Sequence, residues 1–340
     1  MVSYRAVNKP IAVALLSGGL DSVLAIRLIL DQGILVTGVN FSGGYLPVQH
    51  EGKDPAERAA DQLGIPLVRL PIGQEFVEFV KAPRYGRGRN MNPCIDCHIL
   101  MVKQAWEYGT KHKARFIITG EVLGQRPMSQ NKQSLMLVAK RSGTEGSLLR
   151  PLSAKLLEPT VPEKTGLVNR KRLLDIRGRS RKRQIELARK YNVTEFAEPA
   201  GGCLLTDAGF ARRIKEAFEH NESSVEMVEL LRFGRHFRLP SGGKVIVGRN
   251  KTENLELQNR APPGSILIDG THLPGPVALL IPGRKRDRVM AARLCGRYSD
   301  RRNEPEVKLK ISDIGKFQTR PSEIEVKPAN PDESISLVIS

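Results

Sequence analysis

Aromatic side chains are scarce in this chain, at 5% of its 340 residues, so stacking platforms for unpaired nucleic-acid bases are few. No apolar run approaches the about 20 residues that a membrane-spanning helix needs. The amino-terminal apolar segment runs straight into a glycine turn rather than a cleavage site, so the expectation is a cytoplasmic protein with no membrane partner. Cysteine is sparse too: four thiols in a chain long enough to bury a sizeable core suggest metal or redox chemistry rather than a disulfide framework. Acidic residues are in deficit, 36 against 54 Lys plus Arg, for a formal charge of +18, and an excess of that size favours a polyanionic partner. No internal repeat is visible, and the length suits two or three domains.

What is present is organised around Ile11-Ala12-Val13-Ala14-Leu15-Leu16-Ser17-Gly18-Gly19-Leu20-Asp21-Ser22. The first half reads as a buried strand and the residues after the turn as a helix. Ser17, Gly18 and Gly19 between them let backbone N–H groups approach an anion at the positive end of that helix. The turn lacks the Gly-Lys-Ser ending of the nucleotide P-loop and is too compact for the dinucleotide fingerprint. Asp21 is placed to hold Mg²⁺ against a pyrophosphate. An ordinary strand-turn-helix corner is the plain alternative.

Downstream, a helix to Gln32, a strand Ile34 to Phe41, a helix Asp54 to Leu63, a strand Pro66 to Leu70, a helix from Ile99 and a strand Arg115 to Gly120 alternate. Such alternation gives an α/β fold with a doubly wound, mostly parallel sheet, with ligands at the carboxyl ends of its strands. The Arg/Gly/Asn-rich stretch Pro83 to Asn92 reads as a mobile loop able to touch phosphates. It leads into Cys94-Ile95-Asp96-Cys97-His98, where two thiols share one helical or turn face. With Cys203, from a Gly-Gly turn, they make three ligands: a zinc site if His98 completes it, a cluster with one open iron, or a persulfide pair needing no metal. Cys295, in an apolar-spaced helix, reads as core.

Residues 164–190 are conspicuously basic, as fit for a solvated face as for nucleic-acid contact. Beyond His220 to Ser224 the texture turns to short β-rich runs, so the expectation is a first domain over 1–222 and a smaller α+β domain over 223–340, its last thirty or so residues less regular.

Ser17 to Ser22 resembles the PP-loop of the ATP pyrophosphatases, which cleave ATP between the α and β phosphates. Together with Asn92-Pro93-Cys94-x-x-Cys97-His98, Thr119-Gly120-Glu121-x-Leu123-Gly124-Gln125, Arg150-Pro151-Leu152 and Gly201-Gly202-Cys203, the first two thirds of the chain resemble the PP-loop tRNA thiolation enzymes. The pattern is most like the catalytic domain of tRNA 4-thiouridine synthetase, then the tRNA 2-thiouridylases. Ser241 to Asn254 is similar to the RNA-binding R domain of the NFACT proteins. The synthetases carry an amino-terminal RNA-binding module, whereas this chain reaches its first strand at once, so RNA docking is expected of the carboxy-terminal domain and the basic segment.

The resemblance implies ATP and Mg²⁺ at Ser17, Gly18, Gly19, Asp21 and Ser22, with Gly120 and Gln125 nearby. It places the adenine on the backbone of Val39, Asn40 and Phe41, and a [4Fe-4S] cluster, or zinc, on Cys94, Cys97 and Cys203. The implied reaction adenylates a uracil carbonyl of tRNA and replaces its oxygen with sulfur from sulfide or a persulfide carrier, with Asp21, Cys94 and Cys203 as the catalytic set. Gln125 and Arg126 are placed to steady the adenylate, although Gln125 serves equally as a capping or packing residue. The rivals are a PP-loop ligase or amidase acting on a small acid or nucleobase precursor, and an RNA-binding protein with a degenerate nucleotide site. The modified uridine, its atom and the oligomeric state, a homodimer included, stay open.

Overall fold

In a computed structural model, residues 11–44, 52–197, 203–270, 275–315 and 320–339 are described. They form two compact units, Met1–Gly202 and Cys203–Ser340.

The first unit is built on five parallel strands, β1 (Ile11–Leu15), β2 (Leu35–Ser42), β3 (Leu67–Pro71), β4 (Phe116–Ile118) and β5 (Leu148–Leu149), in the order β3-β2-β1-β4-β5. This is the parallel α/β sheet expected from the alternating pattern. Its central strands are apolar runs because both faces are covered. Ala12, Ala14, Leu16, Phe116 and Ile118 join a core with Val23, Leu24 and Ile26 of helix α1 (Leu20–Leu30). On the other face, helix α4 (Cys94–Lys111) lies against β1: a β-carbon on Gly109 would come within 2.7 Å of Val13 Cγ2. The remaining helices are α2 (Pro55–Leu63), α3 (Gln74–Lys81), α5 (Lys132–Arg141), α6 (Val161–Lys164) and α7 (Lys182–Lys190). Helix α2 begins at Asp54 because Asp54-Pro55-Ala56-Glu57 is a reciprocal capping box, Asp54 accepting from Glu57 N–H at 2.9 Å and Glu57 from Asp54 N–H at 2.9 Å.

The strand order reverses at β1, whose neighbours are β2 on one side and β4 on the other. In open α/β sheets the crevice at the carboxyl ends beside such a switch is where ligands bind. The Ser17–Ser22 turn follows β1 directly.

The second unit holds helices α8 (Ala208–Glu219), α9 (Val225–Leu230), α10 (Lys251–Asn259), α11 (Arg288–Arg297) and α12 (Pro331–Leu337). Its strands are β6 (Arg235–Arg238), β7 (Lys244–Val247), β8 (Ile266–Gly270), β9 (Ala278–Ile281), β10 (Val307–Asp313) and β11 (Ser322–Val326). They make an antiparallel sheet in the order β11-β10-β8-β9-β7-β6. Cys295 is fully buried among its core residues, as expected. The last residues are more regular than anticipated. Val307, Leu309 and Ile311 alternate with outward lysines and pair with β11, and α12 starts on an Asn330–Glu333 capping box.

The compact units meet before residue 222, because 203–222 is tied into the second one. Lys244, completely buried, donates to Glu216 at 3.0 Å and Glu222 at 2.9 Å, while Arg238 holds both carboxylates as well.

Candidate active site

Two glycines make the turn after β1, for different reasons. Gly18 has φ +77°, and a β-carbon there would fall 2.3 Å from the Pro55 carbonyl carbon, so the start of α2 presses on the loop. A β-carbon on Gly19 would meet nothing closer than Ser17 Oγ at 3.4 Å. Gly19 therefore faces open space, as a phosphate cradle requires. It is the N-cap of α1, and no side chain caps that helix. The first-turn N–H groups and the dipole are left for an anion. Ser22 closes the turn by donating its hydroxyl to the Gly19 carbonyl at 2.8 Å and lies 3.3 Å from Ser17 Oγ.

Asp21, in the first turn of α1, accepts from Gln125 Nε2 at 3.0 Å through one oxygen. Its other oxygen, Oδ1, is buried with no hydrogen-bond partner. A buried carboxylate oxygen without a donor is costly unless a cation or a donor meets it, so the residue fits the Mg²⁺ role. Gly120 permits this contact. A β-carbon there would lie 2.5 Å from Ser22 N and 2.6 Å from the Asp21 carbonyl carbon. The end of β4 thus touches the first turn of α1, and only glycine allows it.

Beyond Val39, the last residue paired with β1, β2 runs on through Asn40 and Phe41. Leu16 N–H donates to the Val39 carbonyl at 2.9 Å, and the Asn40 amide donates to Leu16 O at 2.8 Å. Arg69 donates to Asn40 Oδ1 at 3.0 Å and pairs with Asp54 and Glu57. The Asn40 side chain is thus engaged in bracing the loop. What this strand end offers a base is its backbone.

The Cys94 thiol opens α4, with Cys97 one turn on and buried. Cys94 donates to Asn92 Oδ1 at 3.2 Å. Burial pushes its thiol up, and the charge of Arg126, next in sequence to Gln125, opposes this. The preceding loop is pinned rather than loose: the buried Asp96 carboxylate accepts from Arg84 N at 3.0 Å and Tyr85 N at 3.2 Å, and Arg87 donates to the Val80 and Lys81 carbonyls. No disulfide links the four cysteines.

A buried ion network was missed by the sequence reading, although its residues stand in the quoted motifs. Glu121 accepts from Arg150 Nε at 2.9 Å, Thr119 Oγ1 at 3.0 Å and His98 Nδ1 at 2.9 Å. Burial works to raise its pKa, but Arg150 and His98 outweigh that and hold it at about 2. An ionised Glu121 fixes the proton on His98 Nδ1. The bond ties the cysteine-bearing end of α4 to the residue after Gly120, so thiols and nucleotide turn are linked through one buried carboxylate.

Cys203 belongs to the second unit, as N-cap of a 3-10 turn, Leu204–Thr206. Gly201 and Gly202 lie outside the described residues. Among the described residues no group of three or more His, Cys, Asp or Glu side chains is gathered to hold a metal ion. Among them also, no helix is long and apolar enough to cross a membrane.

A parallel α/β sheet with an uncapped glycine turn at its switch point and a half-satisfied aspartate beside it is an α/β domain with its anion-binding turn where such sheets take ligands. Residues 8–155 match the family model of the Thiamine biosynthesis protein (ThiI), and residues 234–337 match that of the NFACT protein RNA binding domain. The first match falls within the first compact unit and the second within the other. Among curated proteins, the tRNA-specific 2-thiouridylase MnmA of Carboxydothermus hydrogenoformans is 28% identical over 236 residues, 62% of this chain and 59% of that protein. MnmA of Syntrophotalea carbinolica is 38% identical over 99 residues, 27% of this chain and 28% of its own. The chain therefore spans less than two thirds of the length of either relative. A solved 4-thiouridine synthetase–RNA complex with bound ATP overlays with a TM-score of 0.35 at 20% identity, covering 65% of this chain and 52% of that one.

Proposed function

We propose that this protein thiolates a uridine of tRNA in the cytoplasm at the expense of ATP. The observation that carries the reading is the convergence at one end of the sheet: an open anion cradle, an aspartate oxygen awaiting a cation, and a Cys-x-x-Cys helix end bolted beside them by Glu121. ATP enters with its β and γ phosphates on the N–H groups of residues 18–22, and Asp21 holds Mg²⁺ while Gln125 orients its other oxygen. A uracil carbonyl oxygen attacks the α phosphorus, the bond to the β-phosphate oxygen breaks, and pyrophosphate leaves. Sulfide then adds to the activated carbon, the C–O bond breaks with AMP as leaving group, and the sulfide proton passes to solvent. Arg126 and Gln125 flank the negative charge that develops on the phosphate.

Cys94 and Cys97, one helical turn apart, suit a shared soft-metal site. A [4Fe-4S] cluster on Cys94, Cys97 and Cys203 would supply an iron with one position open to sulfide. Zinc with His98 and a metal-free persulfide relay remain the alternatives for these thiols. The NFACT-R-like unit and the positive charge provide the RNA grip.

Incubation with ATP, sulfide and unmodified tRNA, followed by nucleoside analysis of the digest, tests the reading. Thiouridine and stoichiometric AMP are expected. AMP formation on a small acid with no thiolated nucleoside would transfer the chain to the ligase class. Anaerobic protein should carry iron and labile sulfide that Cys94→Ala, Cys97→Ala and Cys203→Ala each remove; colourless protein with stoichiometric zinc would eliminate the cluster.

A further inference from the structure

In the first unit, an open cavity of about 520 Å³ lies where the stretch before α7 meets that helix, lined by Leu156, Asp175, Ile176, Arg177, Ser180 and Arg183. Its electrostatics run against those of an ordinary helix start. The N-cap of α7 is Arg181, which makes no side-chain cap bond, Ser180 Oγ meets the Lys182 N–H only at 3.5 Å, the first turn has no acidic residue, and Lys182 and Arg183 occupy that turn. Cations at the positive end of a helix repel it unless an anion intervenes. In the same turn the Gln184 amide is fully buried with neither polar atom bonded, and Arg181 Nε is also buried without a partner. The single nearby counter-charge the lining supplies is Asp175, which meets Arg183 at 2.7 Å with both side chains half exposed.

The cavity is attached to the active site. Gly178 N–H donates to Leu123 O at 2.8 Å and Arg177 bridges Leu123 in parallel, extending the loop whose Gln125 touches Asp21. We propose that this cavity seats a backbone phosphodiester of the substrate RNA close to the nucleotide being modified, Arg177 and Arg183 gripping its oxygens. Asp175 acts as an internal stand-in, occupying Arg183 until a phosphate displaces it. The inference rests on the thiolation reading and assigns one part of its RNA path. It divides the basic segment: Arg170, paired with Glu163, and Arg172, donating to the Asp31 carbonyl, brace the fold, while Arg177 and Arg183 meet the strand.

The test uses the full chain and unmodified tRNA transcript, with affinity measured across a salt series. Arg177→Gln combined with Arg183→Gln should weaken binding about tenfold at low salt and reduce the slope of log K against log salt by about 1, since one neutralised phosphate releases close to one counterion. ATP affinity and the melting temperature should not move. Asp175→Asn should act in the opposite direction, tightening RNA binding severalfold, because the competing carboxylate is gone. An unchanged slope with RNA binding intact overturns the proposal and leaves the thiolation reading standing. So does Asp175→Asn weakening binding as much as the arginine pair, which would mark a structural ion pair. Loss of inorganic pyrophosphate binding in the double variant with tRNA binding untouched would assign the cavity to a free anion and overturn it too. A wild-type chain that binds no tRNA removes both readings together.

Discussion

Charge is handled in contrary ways at one site of each unit. In the second, Lys244 is sealed beneath Glu216 and Glu222 with Arg238 completing the set, and Arg249 clasps Glu253. These pairs close on themselves and hold α8 and α10 to the sheet. In the first, the carboxylate nearest the glycine turn is left half satisfied, and the N-caps of α1 and α7 make no side-chain cap bond. An unsatisfied buried group in a native fold calls for a reason, and a bound cation is one for a carboxylate oxygen. The contrast is between these sites rather than whole units, since Glu121 closes on Arg150 and His98 in the first unit and Asp287 Oδ2 is left without a partner in the second.

Lys244→Met should break that contrast from the stable side. Removing the buried ammonium leaves two carboxylates facing a single guanidinium, and loss of one partner from a buried ion set costs about 3 to 5 kcal/mol. Urea unfolding should show that loss in the second unit, while the affinity of the first unit for ATP is unchanged. A neutral midpoint would mean the cluster contributes specificity rather than stability.

Asp21→Ala is the converse. It should lower AMP formation by about 100-fold to 1000-fold, the scale of removing one preorganised charge from a transition state. Its unfolding midpoint should stay the same or rise, because the variant deletes an orphaned buried oxygen. Full activity in this variant would end the case for Asp21 as the metal-holding carboxylate.

These two residues were not equally visible beforehand. Asp21 stands inside a six-residue motif whose strand, turn and helix are in register, so its place followed from periodicity and glycine spacing. The β1 to β4 pattern was legible for the same reason: parallel strands are short apolar runs between amphipathic helices. Glu121, His98 and Arg150 could be quoted as motif letters, yet their mutual contacts join residues 23 and 29 positions apart, and no local pattern encodes that. Helix α5 was invisible because its start depends on Asn131 accepting from Ser134 N–H, within a stretch of weak apolar spacing. The alternation in β10 was there to be read, but its partner β11 has mostly exposed residues.

Glu121 sharpens the comparison through pH. Its folded pKa of about 2 lies below the ordinary 4.5, so the ionised group adds stability that is complete above pH 4.5 and is lost as pH falls toward 2. The shift corresponds to about 3 kcal/mol. Glu121→Gln should start less stable, since Arg150 loses its counter-charge, and should then lose less on acidification between pH 5 and 2. Parallel stability curves for the two proteins would show that Arg150 and His98 do not hold the carboxylate ionised.

The smallest expected effect sits at the edge of the cradle. Asp54→Ala removes one half of the α2 capping box and one anchor of Arg69, a change worth about 1 kcal/mol of stability. Because Pro55 presses on Gly18 and Arg69 also braces Asn40, fraying of this helix start should pass to the turn, raising the apparent Kd for ATP a few-fold with little change in kcat. The equivalent cap deletion in the second unit, Asn330→Ala, also opens a capping box but should cost the same stability and leave ATP affinity alone. Equal effects of the two variants on ATP binding would show that the cradle responds to global stability rather than to the packing of α2 on Gly18.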